Sequence, residues 1–179
     1  MSQPIVSITL NHGLDAMVRE LGALNGQIDK ALVSTGRKLQ AWLNTQLMRE
    51  MARETNIKRK ALLPRFKKAL ARTDSGVYAS IWIGVNPFEA QLAGKPRKIG
   101  KKGVKVRSWM FDKAFIASAF TDQEKVWRRT TASRFPIMKM MIPVAEQMEE
   151  ILPKYEGPAA RKFEEIFEHE LKFAMGWFK

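Results

Sequence analysis

The sequence contains no cysteine. That excludes disulfides, cysteine-based zinc sites and thiol nucleophiles. Histidine is scarce as well, with only His12 and His169 in the chain. No apolar run approaches the roughly 18 residues that a membrane span requires, so no membrane partner is expected. Met1 to Leu10 lacks a basic segment followed by an apolar stretch, and a signal peptide is not expected. Neither an H-E-x-x-H motif, nor a glycine-rich phosphate loop, nor a nucleophile elbow is found. Glu165 and His169 are four residues apart on a helical pattern, a spacing that suits a shared metal, but two ligands do not complete a site. The expectation is a soluble protein of a reducing or indifferent compartment, with no cofactor, no metal and no enzymatic activity.

What the chain does have is positive charge. Its 179 residues carry 31 Lys+Arg against 18 Asp+Glu, a formal net charge of +13. Hydrophobic residues make up 45% of the chain, enough for a folded core rather than disorder. The excess charge is local. Arg49 to Arg72 holds nine basic residues, opposed before Asp74 only by Glu50 and Glu54. Gly94 to Arg107 holds Lys95, Arg97, Lys98, Lys101, Lys102, Lys105 and Arg107 with no acid at all. The C-terminal part is acidic, through Glu146, Glu149, Glu150, Glu156, Glu164, Glu165, Glu168 and Glu170. A subunit polarised in this way can stack on copies of itself, basic face to acidic face, as well as meet DNA.

The periodicity predicts an α+β fold. Pro4 to Leu10 is a short extended piece, and Asn11 is a candidate helix cap. Apolar residues then recur at helical spacing from Leu14 to Met51. This gives one long helix or a helix pair over about 14–53, with Gly26 and Gly36 as points of a possible break, each costing about 1 kcal/mol in a helix interior. Thr55 or Asn56 is expected to cap a short second helix from Ile57 to about Ala71, with Pro64 in its first turn or kinking it. Asp74-Ser75-Gly76 signals a turn, and Val77 to Val85 is the cleanest alternating strand. Further strands are expected over Val104–Phe111, Ala114–Phe120 and Lys125–Thr130, with Phe135–Ile142 extended at its start. Pro143 is expected to open a helix to about Leu152, and a final helix to run from about Ala159 to Trp177. Helices, then strands, then helices imply helices packed on a central antiparallel sheet, with a long basic hairpin loop at 94–107. The domain reading is an α+β domain over 1–152 and a C-terminal amphipathic helix over 153–179, packed on that domain or on a neighbouring subunit.

Three segments in order carry a family resemblance: Met51–Leu62 (MARETNIKRKAL); Lys113–Ile116 (KAFI) with Lys125–Arg129 (KVWRR); and Arg134–Val144 (RFPIMKMMIPV). Together they resemble the prophage minor tail protein Z family, the tail completion proteins of long-tailed phages. The resemblance covers about residues 14–152. It departs at Lys113, where a glycine is expected before Ala-Phe-Ile. It implies a non-enzymatic virion protein at the neck, at the head-proximal end of the tail beside the tail terminator, helping to join tail to head. It carries over no catalytic residue.

Two sets of residues are candidate contact sites. Lys95, Arg97, Lys98, Lys101, Lys102, Lys105 and Arg107 repel one another in a Gly/Pro-punctuated loop expected to be extended and mobile when free. They suit an acidic neighbouring protein or DNA phosphates. The protein is favoured, because a strongly positive lumen would grip DNA rather than let it slide. Trp109, Phe111 and Phe115 could stack on bases, but buried strand aromatics explain them better. The second set is a candidate interface: Arg53 at the end of the first helix, Lys58, Arg59 and Lys60 on the second, and Phe167, Leu171, Trp177 and Phe178 at the C-terminal end. Arg53 to Lys60 is either a docking surface or a solvated face on which Glu50 and Glu54 pair locally. The leading reading is a homo-oligomeric ring in the virion neck, partnered by tail terminator and head–tail connector proteins, with contact to packaged DNA secondary. The alternative is a basic nucleic-acid-binding accessory protein.

Overall fold

The computed structural model describes residues 25–73, 76–118 and 122–177. The predicted extended piece at Pro4–Leu10, the Asn11 cap, the helix before residue 25, Asp74, Ser75 and Phe178 lie outside them. In chain order the elements are α1 (Asn25–Thr55), α2 (Arg59–Leu62), β1 (Phe66–Thr73), β2 (Gly76–Ile83), β3 (Phe88–Glu89), β4 (Arg97–Ile99), β5 (Gly103–Val106), β6 (Trp109–Asp112), β7 (Ala114–Ala117), β8 (Lys125–Arg129), β9 (Ile137–Lys139), β10 (Met141–Ile142), α3 (Ala145–Ile151) and α4 (Glu156–Ala174). The α+β class is as expected. The single central sheet is not: the strands form four small antiparallel sheets, ordered β1-β2, β10-β3, β4-β5-β6 and β7-β8-β9. No helix among the described residues is long and apolar enough to cross a membrane.

The chain divides into two compact units. One contains the described part of Pro4–Leu47 together with Phe66–Gly84 and Leu152–Lys179. Its core is a stripe of α1, with Ile28, Ala31, Leu39, Leu43 and Leu47 all buried. These fall at helical spacing on one face. The β1–β2 hairpin supplies Ala79, Ile81 and Ile83, and α4 supplies Ala159 and Phe163, all buried. No break occurs at Gly36. Its missing side chain is instead a point of close approach: a Cβ there would lie 3.1 Å from Leu70 Cδ1 and 3.5 Å from Val77 Cγ1. The helix keeps a residue of poor propensity because the hairpin needs the room. One turn on, the buried Gln40 amide donates to the Ala69 carbonyl at 2.8 Å and the Ser80 carbonyl at 2.7 Å. Those two residues are cross-strand partners, so one side chain satisfies both strands.

The predicted helix over Ile57–Ala71 is corrected. Only Arg59–Leu62 is α-helical, Leu63–Arg65 is a 3-10 turn around Pro64, and Phe66–Thr73 is a strand. Thr55 and Asn56 do not cap α2, whose N-cap is Lys58 with no side-chain bond. The strand forms because β2 needs a partner. All eight residues of β1 pair with it, from Phe66 opposite Ile83 to Thr73 opposite Gly76.

The other unit contains Met48–Arg65 and Val85–Ile151. Met48, Met51, Ile57, Leu62, Phe88, Val126, Trp127, Ile142, Met148 and Ile151 form its core. Each such side chain contributes roughly 1.5–3 kcal/mol by leaving water. The main chain joins the small sheets here: the Met140 N–H donates to the Val126 carbonyl at 2.9 Å, and the Ala90 N–H to the Met140 carbonyl at 3.0 Å. The strand predicted over Val104–Phe111 is two strands, β5 and β6, folded back on each other at Arg107–Ser108. α3 begins two residues after Pro143, and α4 starts and ends about three residues earlier than expected, with Pro158 in its first turn.

Candidate functional site

The basic run is built on a sheet. Arg97 lies opposite Lys105, Lys98 opposite Val104 and Ile99 opposite Gly103. On the other side of β5, Gly103 meets Asp112, Val104 meets Phe111, Lys105 meets Met110 and Val106 meets Trp109. Opposed residues share a face, and faces alternate along each strand. One face therefore presents Val104, Val106 and Phe111, all buried, with Lys98 at its β4 edge beside Val104. The outer face presents two rows, Arg97–Lys105–Met110 and Ile99–Gly103–Asp112. The run expected as an extended loop is instead part of a three-stranded ladder. The burial of Val104 and Val106 fixes the register, since a slip of one residue would send both to solvent.

The hairpin depends on backbone geometry at its ends. Gly103 has φ +139°, and a Cβ there would sit 2.1 Å from the Phe111 carbonyl oxygen. The Lys102 N–H closes the turn on the Ile99 carbonyl at 3.0 Å, and the Lys113 N–H donates to the Lys102 carbonyl at 3.0 Å. Lys113 itself has φ 57°. The tight turn that a glycine would serve is thus present, held by a residue that pays strain to adopt it. Lys113→Gly is expected to raise stability by about 0.5–1 kcal/mol, relieving that strain against the entropy a glycine adds. A urea midpoint lower than the parent's would contradict this.

The sheet is fastened to the end of α1. The Trp109 indole N–H donates to the Thr55 carbonyl at 2.8 Å, and Asn56 Nδ2 donates to Ser108 Oγ at 3.0 Å. Thr55 Oγ1 donates in turn to the Met51 carbonyl at 2.6 Å. The middle of the Met51–Leu62 segment is therefore a buried joint, with Met51, Thr55, Ile57 and Leu62 inside. Its charged residues divide. Arg53 is engaged by Glu50 at 2.7 Å and by Glu54 at 3.2 Å. Lys58, Arg59 and Lys60 are exposed and form no ion pair with a described residue.

All seven cations from Lys95 to Arg107 are exposed, and none forms an ion pair with a described residue. Arg97 and Lys105 stand directly opposite each other, an arrangement that destabilises a sheet by a few tenths of a kcal/mol or more. Beside them on the same face lie exposed apolar side chains, Ile99 and Met110. Trp109 and Phe111 face inward and are not available for stacking on bases.

The acids divide in the same way. Burial would push the Glu89 carboxyl up, but hydrogen bonds from Lys125 (2.9 Å), Lys139 (2.8 Å) and Gln91, with the Lys125 charge, hold it down at about 2. Glu170 is likewise lowered to about 2, chiefly by hydrogen bonds from Lys38 (2.5 Å) and Ser34. On α4, Glu165 pairs with Lys162 and Glu168 with Lys172. Glu146, Glu149 and Glu150 on α3 are exposed and pair with no described residue. Among the described residues no group of three metal-ligating side chains comes together.

The C-terminal candidates separate. Phe167 stacks on Phe163 with centroids 5.7 Å apart, and Leu171 is half-buried. Trp177 is 65% exposed. Phe173, at 69% exposure, was not among the sequence candidates. The signal for it was its place seven residues after Ile166, at the edge of the apolar stripe. A second overlooked group is Phe135, exposed with the Arg134 guanidinium 5.7 Å from its ring centre, and the exposed Met138.

A family model described as prophage minor tail protein Z matches residues 12–176. The match runs past residue 152 and takes in α4. No curated protein and no solved structure matches the chain.

Proposed function

We propose, from the premise that this chain belongs to the prophage minor tail protein Z family and is a structural component of the phage tail, that it completes the tail at its head-proximal end. In this reading it sits in the virion neck as a homo-oligomeric ring and helps join tail to head. Its partners are other tail and head components, a tail terminator and a head–tail connector among them. The observation that carries the reading is a sheet and its turns bearing seven exposed cations that form no ion pair with a described residue, a surface left incomplete within the subunit. The exposed Phe173 and Trp177 offer a second, apolar contact. An acidic protein neighbour suits the basic face better than DNA, because a strongly positive lumen would grip DNA rather than let it slide.

The test is assembly without the chain. Tails made in its absence are expected to accumulate without joining heads, and electron microscopy of complete particles to place it in a symmetric ring at the neck. Tails that mature and join heads normally without it would remove the reading. DNA affinity that falls steeply with salt, and drops when Lys98, Lys101 and Lys102 are neutralised, would favour the nucleic-acid reading instead.

A further inference from the structure

We propose that the outer face of the β4–β5–β6 sheet binds the carboxylate row of α3 (Glu146, Glu149 and Glu150) on a second copy of this chain. The inference rests on the reading of the chain as an assembling tail subunit and names the surfaces through which its copies meet.

Each surface is electrostatically unfavourable by itself. On the sheet, Arg97 and Lys105 are directly opposed, with Lys101 and Lys102 at the adjoining turn. On α3 the three glutamates stand at i, i+3 and i+4, where like charges destabilise a helix. The buried side of α3 carries Met148 and Ile151, which holds the glutamate row outward. Neither array has an ion-pair partner among the described residues, whereas Glu165 and Glu168 of α4 are already engaged by lysines of their own helix. Asp112, in the row that adjoins that turn, forms no ion pair with a described cation. Docking one array on the other would relieve both repulsions together.

The spacings agree. Glu146 and Glu150 are one helical turn apart, about 6 Å along the axis. Arg97 and Lys105 are on neighbouring strands, about 5 Å apart across the ladder. Two carboxylates can therefore meet two cations without rearrangement of either backbone. Ile99 and Met110, both exposed, flank the cations and give the glutamate stems apolar surface to lie on. The two surfaces differ, so the contact is heterologous: copies join head to tail, and a closed series is a ring.

A charge exchange tests it on the full chain. In low salt the parent is expected to self-associate. The double variant Arg97→Glu/Lys105→Glu and the triple variant Glu146→Lys/Glu149→Lys/Glu150→Lys should each associate at least about tenfold more weakly, with unchanged circular dichroism. Mixed in equal amounts, the two variants should recover association, since each then offers the complement of the other's altered face. The neutral pair Arg97→Gln/Lys105→Gln gives the same loss should the reversed variant fail to fold. A parent that stays monomeric, or a mixture that stays monomeric while both variants are folded, overturns the proposal. So does binding of DNA fragments by a monomeric parent that is lost in the double variant. If the parent is monomeric yet tails without it fail to join heads, the tail reading stands and this contact falls. If tails join heads without the chain, it is the tail reading that fails.

Discussion

Gly103→Ala is expected to dismantle the basic sheet. At φ +139° an alanine is strained whatever the space around it. Here there is no space: the new methyl would lie 2.1 Å from the Phe111 carbonyl oxygen and 3.0 Å from the Lys113 nitrogen, both backbone atoms. A side chain could swing away, but a backbone must move with its strand. Relief therefore parts β5 from β6 at the Gly103–Asp112 pair and threatens the Lys113 to Lys102 hydrogen bond beside it. It also loosens Val104, which is fully buried, and Phe111. Strain of this kind costs about 1–3 kcal/mol before any loss of packing, so a total on the order of 3 kcal/mol is expected. Urea unfolding would measure it, and an unchanged midpoint would contradict it. The same variant should lose whatever contact the outer face makes, because the cations would no longer be held in register.

Glu89→Ala is the second large effect. One carboxylate of β3 joins Lys125 of β8 and Lys139 of β9 at 2.9 and 2.8 Å. The Lys125 side chain is only 15% exposed, so removing the acid leaves a largely buried ammonium without its nearest counter-charge. Such losses run to 3–5 kcal/mol for fully buried pairs. Partial exposure of the acid reduces the expectation to about 2 kcal/mol at neutral pH. The pH dependence follows from the direction of the shift. The folded carboxyl titrates at about 2 against an ordinary value of 4.5, so it stabilises fully above that ordinary value. The contribution fades as pH falls towards 2. The gap between parent and variant should therefore close over this acid range, and the variant's stability should fall less steeply. Glu170, lowered in the same way, leaves a residual slope in both. A gap that stays constant to pH 2 would show that the carboxylate charge is not its source.

Much of the framework was legible because it is periodic. The stripe of α1, the alternation of β2 and the positions of the basic run all follow from spacing along the chain. What escaped depends on partners distant in sequence. Phe66–Ala71 has apolar residues at 66, 69, 70 and 71, compatible with a helix, and only pairing with β2 makes it a strand. Gly36 suggested a break, but it is the point where a hairpin crosses a continuous helix. The basic run looked like a loop because β4 is exposed at all three of its residues and so shows no alternation. The clue to its fold lay in Val104 and Val106, separated by Lys105. Lys113 shows the converse: a residue ill suited to φ 57° gives no sign in sequence of the turn it occupies. Of the candidate contacts, all seven cations from Lys95 to Arg107 are exposed, as a docking role requires. Arg53 is held by acids of its own helix, and Phe167 by Phe163.

If the basic face docks as proposed, the ladder that carries Arg97, Lys98 and Lys105 bears on how fast a subunit is recruited. A basic loop must be ordered as it docks, and encounters that arrive before the ordering is complete are wasted. On the sheet the backbone is fixed beforehand, and only the ends of long side chains remain to settle. Charge fields then act on a surface already in its final shape, drawing the approaching body in along a funnel and raising the frequency of productive collisions. Salt would be felt first in the rate of arrival and only later in the time a docked subunit stays.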